Sequence, residues 1–197
     1  MKRIILASSS PRRIEMMKNN GYNPEIIPAD VDEKILIDMS CESAAMAMAL
    51  KKAVYIAENI VEKSQPNNTV SVSPDAIIIA ADTIVVYGDE IMGKPIDRND
   101  ALRMLGRLKN SSHQVMTGVA IIDTTTNLKH CFCDVTDVCF KDYSDEDLFA
   151  YVDTDEPYDK AGAYAIQGTF GQYIDHFEGA YDNVVGLPWY RVEEYLK

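Results

Sequence analysis

Six consecutive apolar residues, Ala76-Ile77-Ile78-Ile79-Ala80-Ala81, run directly into an aspartate, Asp82. A run this short and unbroken predicts a strand buried on both faces, in the interior of a sheet. Thr83-Ile84-Val85-Val86-Tyr87 follows, and Gly88-Asp89 can then turn the chain. Upstream, Arg3 to Ala7 reads as a short apolar strand. Ser10 and Pro11 then mark a helix start, with Ser10 as cap and Pro11 in the first helical position. Ile14 and Met17 give that helix an apolar face, and Gly21 stops it. A longer helix is expected from about Glu42 to Lys63, capped by Ser40. At 100° per residue, Ala45, Ala49, Ala53, Ile56 and Ile60 form one stripe of it. Lys51 falls on the polar face with Glu58 and Glu62. Lys52 falls beside the apolar stripe, where a lysine either snorkels outward or has a task facing inward.

Further along, Asp97 to Leu108 predicts a helix with Ala101, Leu102, Leu105 and Leu108 inward. Val115 to Asp123 and Leu128 to Phe140 predict two strands joined by a turn at Thr124 to Asn127. Ser144 to Val152 predicts a helix in which Ser144 and Asp147 have capping-box spacing. Asp159 to Pro188 is rich in glycine and aromatic residues, and Pro188 to Leu196 suits a closing helix. Ser64 to Pro74 reads as a polar surface loop. Strands and helices mixed over 197 residues indicate one domain, residues 1–197, of α/β or α+β class.

Acidic residues number 31 and basic residues 19, a formal charge of −12. That balance argues against nucleic acid as a partner, because nucleic-acid binders usually present a basic face. It leaves room for a small phosphorylated ligand where positive charge is concentrated locally or carried by a metal. No apolar run reaches the roughly 18 residues of a membrane span, and Ile4-Ile5-Leu6-Ala7 is too short for a signal-peptide core. The four cysteines, Cys41, Cys131, Cys133 and Cys139, fit no zinc spacing and are expected to pack as small apolar residues, in a reducing cytoplasm.

Ser8-Ser9-Ser10-Pro11-Arg12-Arg13 is the first place where chemistry can reside. A helix start offers unsatisfied backbone N–H groups, serines add donors, and two guanidinium groups add forked cations suited to phosphate. The plainer reading is a capped helix with solvated arginines. Asp82 is the second place: an acid directly after a buried strand needs a partner. It can hold a divalent cation or accept a proton from water, or simply bond the next turn. Lys52, Lys94 in Gly93-Lys94-Pro95, Lys160 in Asp159-Lys160-Ala161-Gly162, and Glu33 in Asp32-Glu33 are each weak signals alone. Gln167 can read a base edge through its amide or lie solvated in a loop. His113, His130 and His176 fall in no metal-binding pattern, and neither a Walker A nor a GxSxG motif occurs.

Taken in order, several segments resemble the Maf nucleotide pyrophosphatases. They are Leu6-Ala7-Ser8-Ser9-Ser10-Pro11-Arg12-Arg13, Asp32-Glu33, Lys52-Ala53, Ala81-Asp82-Thr83, Gly93-Lys94-Pro95 and Thr117-Gly118-Val119. Asp159 to Tyr164, Ile166-Gln167-Gly168 and Val185-Gly186-Leu187-Pro188 complete the set. The resemblance spans nearly the whole chain. It implies an α/β, inosine-triphosphatase-like mixed sheet flanked by helices, with two lobes and a central cleft. It implies a cytoplasmic hydrolase that cuts a nucleoside triphosphate between its α- and β-phosphates, giving a monophosphate and pyrophosphate. A divalent cation, Mg²⁺ or Mn²⁺, and a homodimer are implied with it. The family's proton acceptor matches Asp82, and Glu33 and Asp82 match its metal ligands. Ser8, Ser9, Arg12, Arg13, Lys52, Thr83, Lys94, Lys160 and Gln167 match substrate-binding positions, with Arg12, Thr83 and Gln167 those of base selectivity. The Ala81-Asp82-Thr83 and Ile166-Gln167-Gly168 segments look like the branch acting on dTTP and UTP. A 7-methyl-GTP pyrophosphatase and a nucleotide-binding regulator of septum formation are the alternatives. Ala165, the Ser64 to Pro74 loop and His176-Phe177-Glu178 depart from the family pattern and bear on loop shape.

Overall fold

The apolar run forms a strand, but the strand does not end at the acid: β3 extends from Ala76 to Tyr87, so Asp82 stands within it. The β-branched residues after Asp82 continue the extended backbone that the run begins. The computed structural model describes residues 2–32, 39–63 and 75–197. In chain order the other elements are β1 (Arg3–Leu6), α1 (Pro11–Asn19), β2 (Glu25–Ile26), α2 (Cys41–Lys63), β4 (Glu90–Met92) and α3 (Arg98–Leu108). There follow β5 (Ser112–Asp123), β6 (Leu128–Phe140), α4 (Asp145–Val152), β7 (Ile174–Glu178), α5 (Tyr181–Val185) and α6 (Trp189–Val192). Short 3₁₀ turns occupy Glu156–Asp159, Ala161–Ala163, Thr169–Tyr173 and Glu193–Tyr195.

The strands form one mixed sheet of seven in the order β2-β1-β3-β5-β6-β7, with β4 paired to β3. β1 runs parallel to both β2 and β3, whereas the β3–β4 and β6–β7 pairs are antiparallel. The class is therefore α/β. The chain divides into two compact units. Unit 1 comprises Met1–Asp82, Gly118–Cys133 and Trp189–Lys197; unit 2 comprises Thr83–Thr117 and Asp134–Pro188.

In unit 1, α2 lies on the sheet through Ala49, Ala53 and Ile56, which pack with Ile5, Ala76, Ile78, Ala80, Ala120 and Ile122. Ile79 and Ala81, on the opposite face of β3 by strand alternation, are fully buried as well, as expected of an interior strand. Burying each isoleucine contributes about 1.5–3 kcal/mol. The small residues on α2 matter as much, because they let the helix approach closely. At Gly118 of β5, the helix backbone at Ala45 and Met46 occupies the space a Cβ would fill. Ser40 caps α2 as expected, its hydroxyl accepting from the Ser43 amide at 3.2 Å.

In unit 2, α3 and α4 cover a core of Val85, Met92, Ala101, Met104, Leu105, Leu108, Val138 and Phe140. It continues into an aromatic group of Tyr143, Tyr151, Tyr164 and Phe170. Asp97 caps α3 and Ser144 caps α4, each accepting the amide three residues on. Several expectations need correction. Ser10 is the N-cap residue of α1 as expected, but its side chain caps no amide, and its own amide donates to Ser8 Oγ at 3.2 Å. β5 starts at Ser112, three residues before the expected boundary, and the closing helix is only Trp189–Val192 plus a 3₁₀ turn. None of the cysteines is fully buried, and Cys131 is exposed. The Ser64 to Pro74 loop lies outside the described residues.

Candidate active site

Unit 1 holds Ser8, Ser9, Arg12, Arg13, Lys52 and Asp82, and its geometry follows from strand register. β1 pairs with β3 in parallel as far as Leu6 against Ile79, and the Ala7 amide still bonds to Ile79 O at 2.8 Å. There the two chains part. β3 continues to Asp82, while the neighbouring chain leaves the sheet as Ser8-Ser9-Ser10 and turns into α1. Ser8 is buried, and its Oγ accepts both the Ser10 amide and Arg13 Nη1 at 3.2 Å each. That leaves the serine proton to be donated elsewhere. Ser10 O accepts from the Ile14 amide, and Pro11 occupies the first helical position. The first-turn N–H groups, which a helix cannot satisfy itself, thus sit beside the two arginines.

Strand alternation also explains the acid. Ala76, Ile78 and Ala80 face α2, so Asp82 faces it too. On the helix, Lys52 lies one turn from Ala49 and Ile56, on the inward side. Of the two readings of that lysine, the inward one holds: Lys52 Nζ meets Asp82 Oδ1 at 2.7 Å. Their side chains keep 11% and 20% exposure, so the pair is largely shielded yet reachable from solvent. Removing one partner of such a pair strands the other, which favours keeping both.

Unit 2 holds Thr83, Lys94, Lys160 and Gln167. Thr117 Oγ1 donates to Asn183 O at 3.0 Å, so the 3.0 Å contact between the Thr83 and Thr117 hydroxyls has Thr83 as donor. Lys94 is exposed, but the residue before it is tied down: Gly93 O accepts from the Gly162 amide at 3.0 Å. Lys160 Nζ donates to Glu156 O at 2.5 Å and to Asp159 Oδ1 at 2.6 Å. Gln167 is exposed. Glu33 lies outside the described residues. Reading the sequence missed Thr117 as the polar neighbour of Thr83, Asn183 as the neighbour of Thr117, and Glu156 as the neighbour of Lys160. Asp155-Glu156-Pro157, just ahead of the Asp159-Lys160 segment, was the available signal for Glu156.

His113 is buried, its Nε2 2.6 Å from the Tyr164 hydroxyl, and among the described residues its Nδ1 has no hydrogen-bond partner. Burial pushes its pKa down from 6.5 to about 4. The folded value lies below the unfolded one, so between those pH values the unfolded chain binds the extra proton. Stability is therefore full above about pH 6.5 and falls as pH drops towards 4, by up to about 3 kcal/mol from this group. Urea unfolding of the wild type and of His113→Gln across pH 7.5 to 4.5 tests this. The variant should lose that part of the pH slope; identical slopes would refute the assignment.

Unit 1 thus combines an acid held on a buried strand by a helical lysine with a serine–arginine helix start. The chain belongs to the Maf-like protein family, whose family model matches residues 3–197. It is 42% identical over 197 residues to a dTTP/UTP pyrophosphatase of Acetivibrio thermocellus, covering 100% of this chain and 95% of that one. It is 41% identical to the dTTP/UTP pyrophosphatase of Caldicellulosiruptor saccharolyticus, over 100% of this chain and 94% of that one. To that of Desulforamulus reducens it is 40% identical, over 100% and 96%. Among solved structures, a HAM1 protein from Coxiella burnetii matches 71% of this chain and 73% of its own, at 14% identity and a TM-score of 0.46.

Proposed function

We propose that this chain hydrolyses dTTP and UTP between the α- and β-phosphates, releasing the nucleoside monophosphate and pyrophosphate. The observation that carries the reading is the Lys52–Asp82 pair standing just beyond the point where Ser8–Arg13 leaves the sheet. That arrangement supplies donors and cations for phosphate and a carboxylate for water on one unit. The full-length relatives named dTTP/UTP pyrophosphatase supply the substrate.

In this reading, Ser8 and Ser9 donate to phosphate oxygens, and Arg12 and Arg13 add charge-assisted bonds. Lys52 keeps the Asp82 carboxylate aimed. Asp82 takes the proton of the attacking water as its oxygen bonds to phosphorus, and the bridging oxygen leaves with pyrophosphate. Thr83, Lys94, Lys160 and Gln167 are assigned to the substrate on the family likeness, with Gln167 and Thr83 at the base.

The donor chemistry of Asp82 fits a hard divalent cation. Oδ1 is engaged by Lys52, a carboxylate has a second oxygen, and Mg²⁺ is commonly held by one or two carboxylates together with substrate phosphates and water. Among the described residues no group of three or more His, Cys, Asp and Glu forms a ready-made cage. Asp82 and Glu33 are the residues that would hold the ion. When bound, Mg²⁺ or Mn²⁺ supplies charge neutralisation at the phosphates.

The test is pyrophosphate release from UTP, dTTP, CTP, ATP, GTP and 7-methyl-GTP, each with Mg²⁺, Mn²⁺ or a chelator. UTP and dTTP should be consumed first, and the chelator should abolish turnover. Consumption of 7-methyl-GTP with UTP and dTTP intact would replace the pyrimidine reading. Tight nucleotide retention with no turnover would make the protein a binding regulator.

A further inference from the structure

The stretch from Lys160 to Thr169 has little regular structure to hold it. It consists of short 3₁₀ turns and loops, yet it carries both Lys160 and Gln167. One residue outside it contacts it at both ends. The main-chain oxygen of Glu156 accepts from Lys160 Nζ at 2.5 Å. The Glu156 carboxylate reaches the far end: Oε2 accepts the Thr169 hydroxyl at 2.7 Å, and Oε1 accepts the Thr169 amide at 3.0 Å. Oε1 also receives the Tyr151 hydroxyl at 3.4 Å. Burial first, and the Glu156 charge second, push the Tyr151 pKa up, which keeps that hydroxyl a donor. Gly168 completes the fit, because a Cβ there would overlap Oε1. The residue next to Gln167 thus leaves room for the carboxylate that holds Thr169.

We propose that Glu156 is a positioning residue for substrate recognition, joining Lys160 through its backbone and the Gln167–Thr169 segment through its carboxylate into one rigid piece. Glu156 need not touch the nucleotide. Its effect is to hold the Gln167 amide at a fixed offset from the Lys160 ammonium, so that a nucleotide gripped by the lysine meets the amide in register. This rests on the proposed roles of Lys160 and Gln167 in binding dTTP and UTP.

The experiment measures kcat and KM for UTP and CTP in four proteins besides the wild type: Glu156→Ala, Glu156→Gln, Gly168→Ala and the double variant Glu156→Ala/Gly168→Ala. Glu156→Ala should raise KM for UTP about tenfold or more and narrow the preference for UTP over CTP, with kcat nearly unchanged. Glu156→Gln keeps an oxygen for the Thr169 amide and should stay close to wild type. Gly168→Ala drives a methyl into the carboxylate and should resemble Glu156→Ala. The double variant should be no worse than either single change, since both break one tie. A fall in kcat alone, with KM and base preference intact, would mean only that less protein is folded and would overturn the proposal. Strict additivity of the two changes would overturn it as well. A wild type that turns over neither UTP nor dTTP would instead remove the functional reading beneath it, and the proposal with it.

Discussion

Asp82→Asn is expected to lower pyrophosphate release by about 10²–10⁴-fold, the usual worth of a positioned proton acceptor, while leaving the fold intact. The variant is close to isosteric, and an amide still offers an oxygen to Lys52 Nζ, which now sits 2.7 Å from Oδ1. What the amide lacks is the capacity to take a proton from water or to hold a divalent cation as a carboxylate does. The measurement is a coupled pyrophosphate assay on UTP beside a far-ultraviolet circular dichroism spectrum. Near-normal turnover with an unchanged spectrum would move the chemistry away from this residue.

Gly118→Ala carries the largest expected cost in stability. A methyl there meets the carbonyl carbon and oxygen of Ala45 and the amide nitrogen of Met46, all backbone atoms of α2. A flexible side chain could swing aside, but a helix backbone held by its own hydrogen bonds can only move as a body. Overpacking costs about 1–3 kcal/mol where neighbours can adjust, so a loss of about 3 kcal/mol or more is expected here. Gly106→Ala is the control. It lies within α3 with no atom near the added methyl, and should gain about 0.5–1 kcal/mol from helix propensity. Denaturant titration of both variants checks the contrast. Equal stabilities would show that α2 tolerates displacement from β5.

These two sites mark what local pattern can and cannot show. The apolar run at Ala76–Ala81 and the stripe on α2 follow from side-chain periodicity, so both elements were legible. The boundary at Asp82 was not. A polar residue reads as a strand end until a partner is known, and the partner, Lys52, is 30 residues away. Ser10 stands at the α1 N-cap position as its place before Pro11 suggests, but its side chain caps no amide, and Arg13 and the Ser10 amide converge on the Ser8 hydroxyl, which no local rule for a serine at the cap position foresees. β7 escaped notice because Asp175-His176-Phe177-Glu178 is exposed and shows no alternation; pairing with β6 makes it a strand. Around the proposed site, Ser8, Arg12, Arg13 and Asp82 could be singled out by chemistry alone. Lys94 and Lys160 were weak signals until the family likeness drew them out, and Gln167 had even claims as base reader or loop residue. Asn183 meets its partners across 47 to 68 residues of sequence, so spacing could not reveal it; Glu156 stood just ahead of Asp159-Lys160, but nothing in the pattern tied its carboxylate to Thr169.

The division of the chain also bears on the order in which the protein is made. Its two units are interleaved, since β3, β5 and β6 each cross from one to the other. The second unit has all its parts once Pro188 leaves the ribosome. The first, although it contains the earliest residues, waits for Trp189 to close against Tyr22, with ring centroids 5.3 Å apart, and for Val192 to be buried. The unit that holds the earliest residues is thus the one whose sequence is completed last, and the serine–arginine segment belongs to it.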